Sequence, residues 1–403
     1  MEQGLTFLCI SSYYKGGAFL KACKEAGNKV YLITSLKLRD EDWPRDSIDE
    51  IFYMEDAKAG QWDMRVLVDS VAYKMRSIRF DRFVALDDFD VEKVAALREQ
   101  FRVPGMGDTT SRYFRDKLAM RVKAQAEGIP VPAFTPLFHD VDIERYTRDN
   151  PPPWMIKPRS EASAVGIKKI TSANMLWEVL DEMGDDRHKY LLEKFSPGKV
   201  FHADSLTANG KVVFSRVSGY LDTPYDVAHG GGIFRSRTLD FTDPDAKAIA
   251  TLNKKVLKAF GLQYSASHTE FIKSDETGKF LFLETSSRVG GANLAEMIEA
   301  ASGVNLWAEW ARLETAMARK EEYTPPVDTK QHAGIVVSLS RFEHPDTVGF
   351  KDPELVWRMN KKWHIGLIVR SDDPDRVLEL LDNYTERIQK DFHARAAVPN
   401  TSP

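Results

Sequence analysis

Residues 281–292 read Leu-Phe-Leu-Glu-Thr-Ser-Ser-Arg-Val-Gly-Gly-Ala. An apolar run delivers the carboxylate of Glu284, then the small hydroxyl of Ser286, then the guanidinium of Arg288, then Gly290 and Gly291. Just upstream, residues 265–272 carry a second carboxylate, Glu270, two positions after His268. Residues 273–279 join the two segments with turn chemistry between β-rich runs, which predicts an antiparallel hairpin. Such a hairpin presents Glu270 and Glu284 side by side. Two carboxylates beside an arginine can hold Mg²⁺ and a phosphoryl group together. The bland alternative is a pair of solvated strand-end glutamates and a surface arginine, and the hairpin alone does not exclude it.

Three further segments bear on the choice. Residues 154–159 form a strand that carries Lys157 and Pro158 into a loop of small residues, 160–167, containing Ser160, Ser163 and Gly166. Small residues let backbone N–H groups approach an anion closely, and a lysine at the mouth of such a loop can touch phosphates. A solvated lysine at a hairpin end is the commoner case for any one lysine. Residues 190–198 are a buried strand ending in Glu193, Lys194 and Phe195 before a Ser-Pro-Gly turn, and 200–206 with 211–214 continue as a β-meander. Asp116 and Lys117 sit on a helix predicted over 111–127.

The elements around these segments are α/β. Strands at 5–10, 29–34 and 82–86 alternate with helical pattern, which predicts a parallel, doubly wound N-terminal sheet. The first loop has Gly16-Gly17 but no Gly-x-Gly-x-x-Gly, so a dinucleotide site has little support. Asp87 and Asp88 follow the strand at 82–86, at the end where open α/β sheets bind ligands. The preferred reading for both is a helix cap with acidic first-turn residues. Residues 103–107 break the pattern, and Asn150 with three prolines makes a stiff linker. Near the end come strands at 333–339 and 365–370 and a helix at 373–389. Trp307 and Trp310 fall at helical spacing with Leu306 and Leu313 and read as core.

Composition sets the outer limits. The chain has 403 residues, 43% hydrophobic and 29% charged, which is ordinary globular material for two or three domains. A net charge of -4 argues against a nucleic-acid binder. No apolar run approaches the roughly 20 residues that span a bilayer, and the N-terminus lacks the basic region of a signal peptide. Cys9 and Cys23 lie in no metal-ligand spacing and read as buried apolar residues in a reducing compartment, so a cytoplasmic location is expected.

The order of these motifs resembles the ATP-grasp superfamily, specifically its carboxylate–amine ligase branch with the L-amino acid ligases, to which biotin carboxylase and purine-pathway ligases are related. The matching residues are Asp116-Lys117, Lys157-Pro158 with its serine-rich loop, Glu193-Lys194-Phe195 with Gly198, His268-Thr269-Glu270, and Glu284 through Arg288. The likeness is good over 111–316 and looser in the flanks. It implies a Rossmann-like preATP-grasp domain at 1–112, a two-lobed ATP-grasp domain at 113–320 with a lid subdomain at 151–215, and a small C-terminal α/β segment at 321–403. It also implies roles. Lys117 and Lys157 would contact ATP phosphates under a loop carrying Ser160, Ser163 and Gly166. Glu193, Lys194 and Phe195 would meet the adenine edge, largely through backbone. Glu270 and Glu284 would hold Mg²⁺ or Mn²⁺ with Ser286 nearby, and Arg288 would steady the acyl phosphate. A homodimer is common among such relatives. The implied reaction joins a carboxylate to an amine with release of ADP and phosphate. The alternatives are a thiol acceptor, a step that stops at the acyl phosphate, and a non-catalytic ATP-binding protein.

The chain departs from the family pattern in three places. Val200 stands where relatives often have a ribose-binding glutamate, so His202 or Asp204 is the substitute considered. Ser286 stands where many have a metal-binding asparagine. Residues 160–163 replace the glycine-rich loop of biotin carboxylase, which argues against bicarbonate and biotin. His268 reads first as a hydrogen-bonded structural histidine, with positioning the acceptor or acting as a base as its catalytic alternative. The segment 229–232, His-Gly-Gly-Gly, reads as a plain hairpin turn.

Overall fold

Short apolar runs alternate with amphipathic stretches at the start of the chain, and the folded chain turns them into a parallel sheet. The computed structural model describes residues 4–57, 61–162 and 165–395. The first sheet contains β1 (Thr6–Ser11), β2 (Lys29–Ser35), β3 (Glu50–Met54) and β4 (Arg82–Ala85), in the order β3-β2-β1-β4 and parallel throughout. Alternate residues of β1 enter different cores. Phe7 and Cys9 pack with Phe19 and Leu20 of α1 (Gly17–Glu25). Leu8 and Ile10 pack with Leu67 of α2 (Met64–Met75) and Val94 of α3 (Val91–Phe101). Helices thus cover both faces, as the doubly wound pattern requires. Cys9 and Cys23 are free and buried, and burial pushes the Cys23 thiol up to about 12.

The single helix expected over 111–127 is two. Helix α4 (Asp108–Arg112) ends before Asp116, whose carboxylate accepts hydrogen bonds from the amides of Leu118 and Ala119 and starts α5 (Lys117–Ala126). An aspartate cap is worth about 1 kcal/mol and fixes where the helix begins. The consequence is positional: Lys117 becomes the first residue of a helix rather than a mid-helix side chain.

A small mixed layer follows. It is built from β5 (Phe134–Pro136), α6 (Asp140–Asp149), β6 (Trp154–Pro158), β7 (Lys168–Ile170), α7 (Ala173–Met183) and β8 (Tyr190–Lys194), with strand order β5-β8-β6-β7. Trp154, Ile156, Leu176 and Leu192 fill its own core. This layer begins and ends earlier than the 151–215 span read from sequence, because β9 (Gly198–Ala208) and β10 (Lys211–Tyr220) join a larger sheet.

That larger sheet has eight strands, in the order β13-β12-β9-β10-β11-β14-β16-β15. Its middle elements are α8 (Pro224–Gly230), β11 (Phe234–Thr238), α9 (Pro244–Ala259), β12 (Ser265–Ser274) and β13 (Phe280–Ser286). After α10 (Leu294–Ser302) and α11 (Leu306–Arg319), the last elements β14 (His332–Leu339), β15 (Leu355–Arg358), β16 (His364–Ser371) and α12 (Pro374–Asp391) extend it. The strand β15 was not anticipated; it is short and lies at the sheet edge. One face of the sheet packs Phe201, Ala203 and Phe271 against α9. On the other, Leu206 and Ala266 join the core of α1, α10 and α11. Trp307 and Trp310 belong to that second core, as the spacing predicted, and Trp310 meets Phe19 edge-on at 5.1 Å. No helix among the described residues is long and apolar enough to cross a membrane.

A buried charge group ties the small layer to the large one. Glu193 of β8 accepts from Arg121 of α5 at 2.5 Å and meets Lys157 of β6 at 2.6 Å, while Arg121 also donates to the carbonyl of Leu283 on β13. Burial disfavours the Glu193 carboxylate, yet Arg121 and then Lys157 outweigh it and hold the group at about 2, below the ordinary 4.5. A depressed carboxyl stabilises the fold above the unfolded value and loses that contribution as pH falls toward the folded value. Two predictions follow from this architecture. Trp310→Ala should lower unfolding free energy by about 3–5 kcal/mol, read from the urea midpoint. Glu193→Gln should leave Arg121 and Lys157 uncompensated and cost about 3–5 kcal/mol at neutral pH. The parent's fall in melting temperature as pH drops from about 4.5 toward 2 should then be blunted in Glu193→Gln.

Candidate active site

The small mixed layer and the eight-stranded sheet both line a cavity of about 550 Å³. Each wall contributes a distinct chemistry. The hairpin β12–β13 places Glu270 directly opposite Glu284, as the sequence predicted, and His268 opposite Ser286, and all four line the cavity. The Tyr220 hydroxyl donates to Glu270 Oε1 at 2.7 Å, and His268 Nε2 stands 3.5 Å from the same oxygen. Burial opposes the Glu270 charge, but His268 and Tyr220 hold its carboxyl below the ordinary value. On His268, burial acts against charging, and Asp204 with Glu270 reverses it and lifts the ring to about 10.

Cations enter from the other elements. Lys117 Nζ, at the start of α5, lies 2.7 Å from Glu284 Oε2 and donates to the carbonyl of Glu161 at 2.7 Å. Lys157 reaches the cavity from β6 while paired with Glu193. The segment 194–198 lines the same wall together with Met155, Val200, Ile272 and Leu283, a largely apolar slot edged by backbone. The Lys194 ammonium turns outward to the carbonyl of Pro151 at 2.5 Å, and Phe195 lies under Lys169 at 4.1 Å. Ser160 and Gly166 flank the cavity without being among its lining residues, whereas Glu161, Ala162, Val165 and Ile167 line it. Ser163 lies outside the described residues.

Three expectations are corrected here. His202 is fully buried, with Nδ1 on Asp204 at 2.6 Å and Nε2 on Ser236 at 2.8 Å. It does not line the cavity, so it is not placed to grip a ribose, and neither is the buried Asp204. Asp88 is not simply a helix-start residue. Asp87 does the capping, accepting from the Phe89 amide at 3.1 Å, while Asp88 points into the cavity and pairs with Arg288. Burial opposes the Asp88 charge, but Arg288 and Arg115 hold its carboxyl well below the usual range. The useful signal was its place at the carboxyl end of a parallel strand. Segment 229–232 also differs from the expected hairpin turn: Thr223 caps the short helix α8, and Gly231 ends it in a left-handed conformation. Residues 223–228, just before that segment, line the cavity.

Two buried polar atoms beside one another make no hydrogen bond among the described residues: Arg288 Nε, a donor, and Asp88 Oδ1, an acceptor. A buried polar atom without a partner is costly and marks a place that suits a polar ligand. A molecule with one acidic and one basic end would satisfy both.

No family model matches the chain. It is 26% identical over 265 residues to the L-arginine-specific L-amino acid ligase of Bacillus subtilis, a stretch covering 64% of this chain and 62% of that protein. It is 25% identical over 204 residues to the D-alanine–D-alanine ligase of Neisseria gonorrhoeae, covering 50% of this chain and 66% of the relative. In both cases the chain spans less than two thirds of the relative's own length. Among solved structures, the L-amino acid ligase from Bacillus licheniformis superposes with a TM-score of 0.74 at 16% identity, over 98% of this chain and 100% of that one. The N5-carboxyaminoimidazole synthetase from Staphylococcus aureus, complexed with ADP, gives 0.71 at 14% identity over 96% and 98%. Fold, motif order and sequence likeness agree: the chain has the ATP-grasp fold and is similar in sequence to amino acid ligases.

Proposed function

We propose that this protein uses ATP to join the carboxylate of an amino acid to an amine, releasing ADP and phosphate. The observation that carries this reading is the meeting of Glu270, Glu284, Lys117, Lys157 and Arg288 in one cavity. The names of the sequence relatives, all ligases that join amino acids, support the same class.

Attack of a carboxylate on the γ-phosphate brings two anions together, so positioning and charge neutralisation matter most. Lys117 and Lys157 supply positive charge for the phosphates from two different walls. The apolar slot at 194–198 suits a purine ring, with backbone groups at its edge. Glu270 and Glu284 are the donors for Mg²⁺; a hard cation prefers such carboxylate oxygens, and Glu270 Oε2 makes no hydrogen bond among the described residues. When bound, the ion would neutralise phosphate oxygens. Ser286 lies beside these carboxylates as a weaker oxygen donor.

Arg288 would hold the substrate carboxylate, and Asp88 Oδ1 would take a proton donor of its α-amino group. A carboxylate oxygen bonds to the γ-phosphorus as the bond to ADP breaks. A neutral amine then bonds to the acyl carbon, phosphate leaves, and the amine's extra proton passes to solvent or a nearby base. Water in the cavity would hydrolyse the acyl phosphate, so enclosure of the cavity by lining residues such as 223–228 would have a chemical use.

The test is phosphate release from Mg²⁺-ATP over pairs of amino acids and other amines, with products identified by mass. Release that requires a particular pair, with an amide of matching mass, is expected. Thioester with a thiol acceptor, acyl phosphate without amide, or ATP binding without turnover would each overturn the amine-ligase reading. Arg288→Ala should lower turnover by about 10²–10³ while retaining ATP binding. Asp88→Asn should raise the KM for the carboxylate-donating amino acid about tenfold or more, with a smaller change in KM for ATP.

A further inference from the structure

Behind the cavity wall, Asp204 and His202 continue a chain of polar side chains inward from His268. Asp204 of β9 is fully buried and uses both oxygens: Oδ2 takes His202 Nδ1 at 2.6 Å, and Oδ1 takes His268 Nδ1 at 2.9 Å. His202 is anchored on its far side by Ser236, and its ring lies 4.7 Å from that of Tyr220. Register explains the grouping. Asp204 sits directly opposite His268, and His202 opposite Glu270, on adjacent strands.

A core position favours apolar residues, since a buried carboxylate and two imidazoles must all be desolvated. The same strand face is apolar one step further from the cavity, at Leu206 and Ala266. The polar group therefore appears only where this face reaches the carboxylates. It also touches the arginine segment. A Cβ at Gly290 would fall 2.8 Å from Asp204 Oδ1 and 3.0 Å from His268 Nδ1, so only glycine lets the backbone after Arg288 rest on this pair.

We propose that Asp204 is a positioning residue for Glu270. It rests on the reading of Glu270 as a metal-binding carboxylate. Asp204 fixes the His268 ring by its Nδ1, which turns Nε2 toward Glu270 Oε1. Asp204 also fixes His202, which packs against Tyr220, the other partner of Oε1. Both protein partners of Glu270 are thus braced from one carboxylate, and they engage the same oxygen. The second oxygen is left for a divalent cation in a set orientation. Partners one step behind a metal ligand commonly affect metal affinity about 10–100-fold.

The experiment is Mn²⁺ binding to the ADP-saturated full-length chain, followed by electron paramagnetic resonance, with melting temperature recorded alongside. Asp204→Asn and His268→Asn should each weaken Mn²⁺ about tenfold or more. The asparagine in His268→Asn can still offer an N–H to Asp204 but has nothing at the Nε2 position. It should therefore keep most of its thermal stability while losing metal affinity, and it decides the matter if Asp204→Asn does not fold. Glu270→Gln is the control. If Glu270→Gln weakens Mn²⁺ and His268→Asn binds within about twofold of the parent, the positioning role is wrong. If Glu270→Gln itself binds like the parent, Glu270 is not a ligand and the reading beneath the proposal fails.

Discussion

Two carboxylates face each other across a strand pair in a cleft with limited access to water. Like charges directly opposite on one sheet face repel, and burial strengthens the repulsion. Glu270 and Glu284 occupy such positions. Much of the surrounding structure can be understood as what makes that arrangement tolerable. Each carboxylate has its own partner, and the partners come from different directions. Glu270 leans inward on Tyr220 and His268. Glu284, one third exposed, is met from across the cavity by Lys117.

The same logic recurs in the other charged groups of the site. Lys157 is held by Glu193, and Arg288 by Asp88. Lys117, Lys157 and Arg288 are thus each already paired with a carboxylate. Burial requires this, because an unpaired buried charge costs several kcal/mol. A phosphate or carboxylate ligand of the proposed reaction would then exchange partners with these pairs rather than create new ones. Such exchange gives modest net affinity from strong local contacts and makes geometry decisive. The orphan atoms Arg288 Nε and Asp88 Oδ1 show where a pair is incomplete, and so where specificity can enter.

How much of this was legible in the sequence depended on range. The β12–β13 hairpin was, because alternation and turn chemistry are local signals and both carboxylates sit on it. The parallel N-terminal sheet and the core role of Trp310 were readable for the same reason. The break at Asp116 was missed because a cap inside helical pattern competes with propensity, and the carboxylate that decides it also takes Arg159, just past the end of β6. Asp88 was misread because its partner Arg288 lies 200 residues away. His202 was placed at the ribose by analogy with a neighbouring position, and strand register turned it away. The short α8 followed from a threonine cap that three following glycines had obscured.

The division of labour between the two sheets follows from these pairings. Both carboxylates suited to a metal stand on the large sheet, whose eight strands and two flanking cores make it the rigid partner. Lys157 stands on the small layer, and Lys117 on the helix between them. For the proposed reaction, a nucleotide carrying several negative charges must therefore draw groups from separate bodies toward one point. The small layer has its own core, so it can shift as a unit without disturbing the large sheet. The Arg121–Glu193–Lys157 group limits that shift, since Arg121 is also bound to the backbone of β13. Any shift of the small layer would therefore be constrained by this buried ion group rather than free. Such a constraint would suit the proposed reaction, whose acyl phosphate would have to be kept from water while the reactants stay aligned.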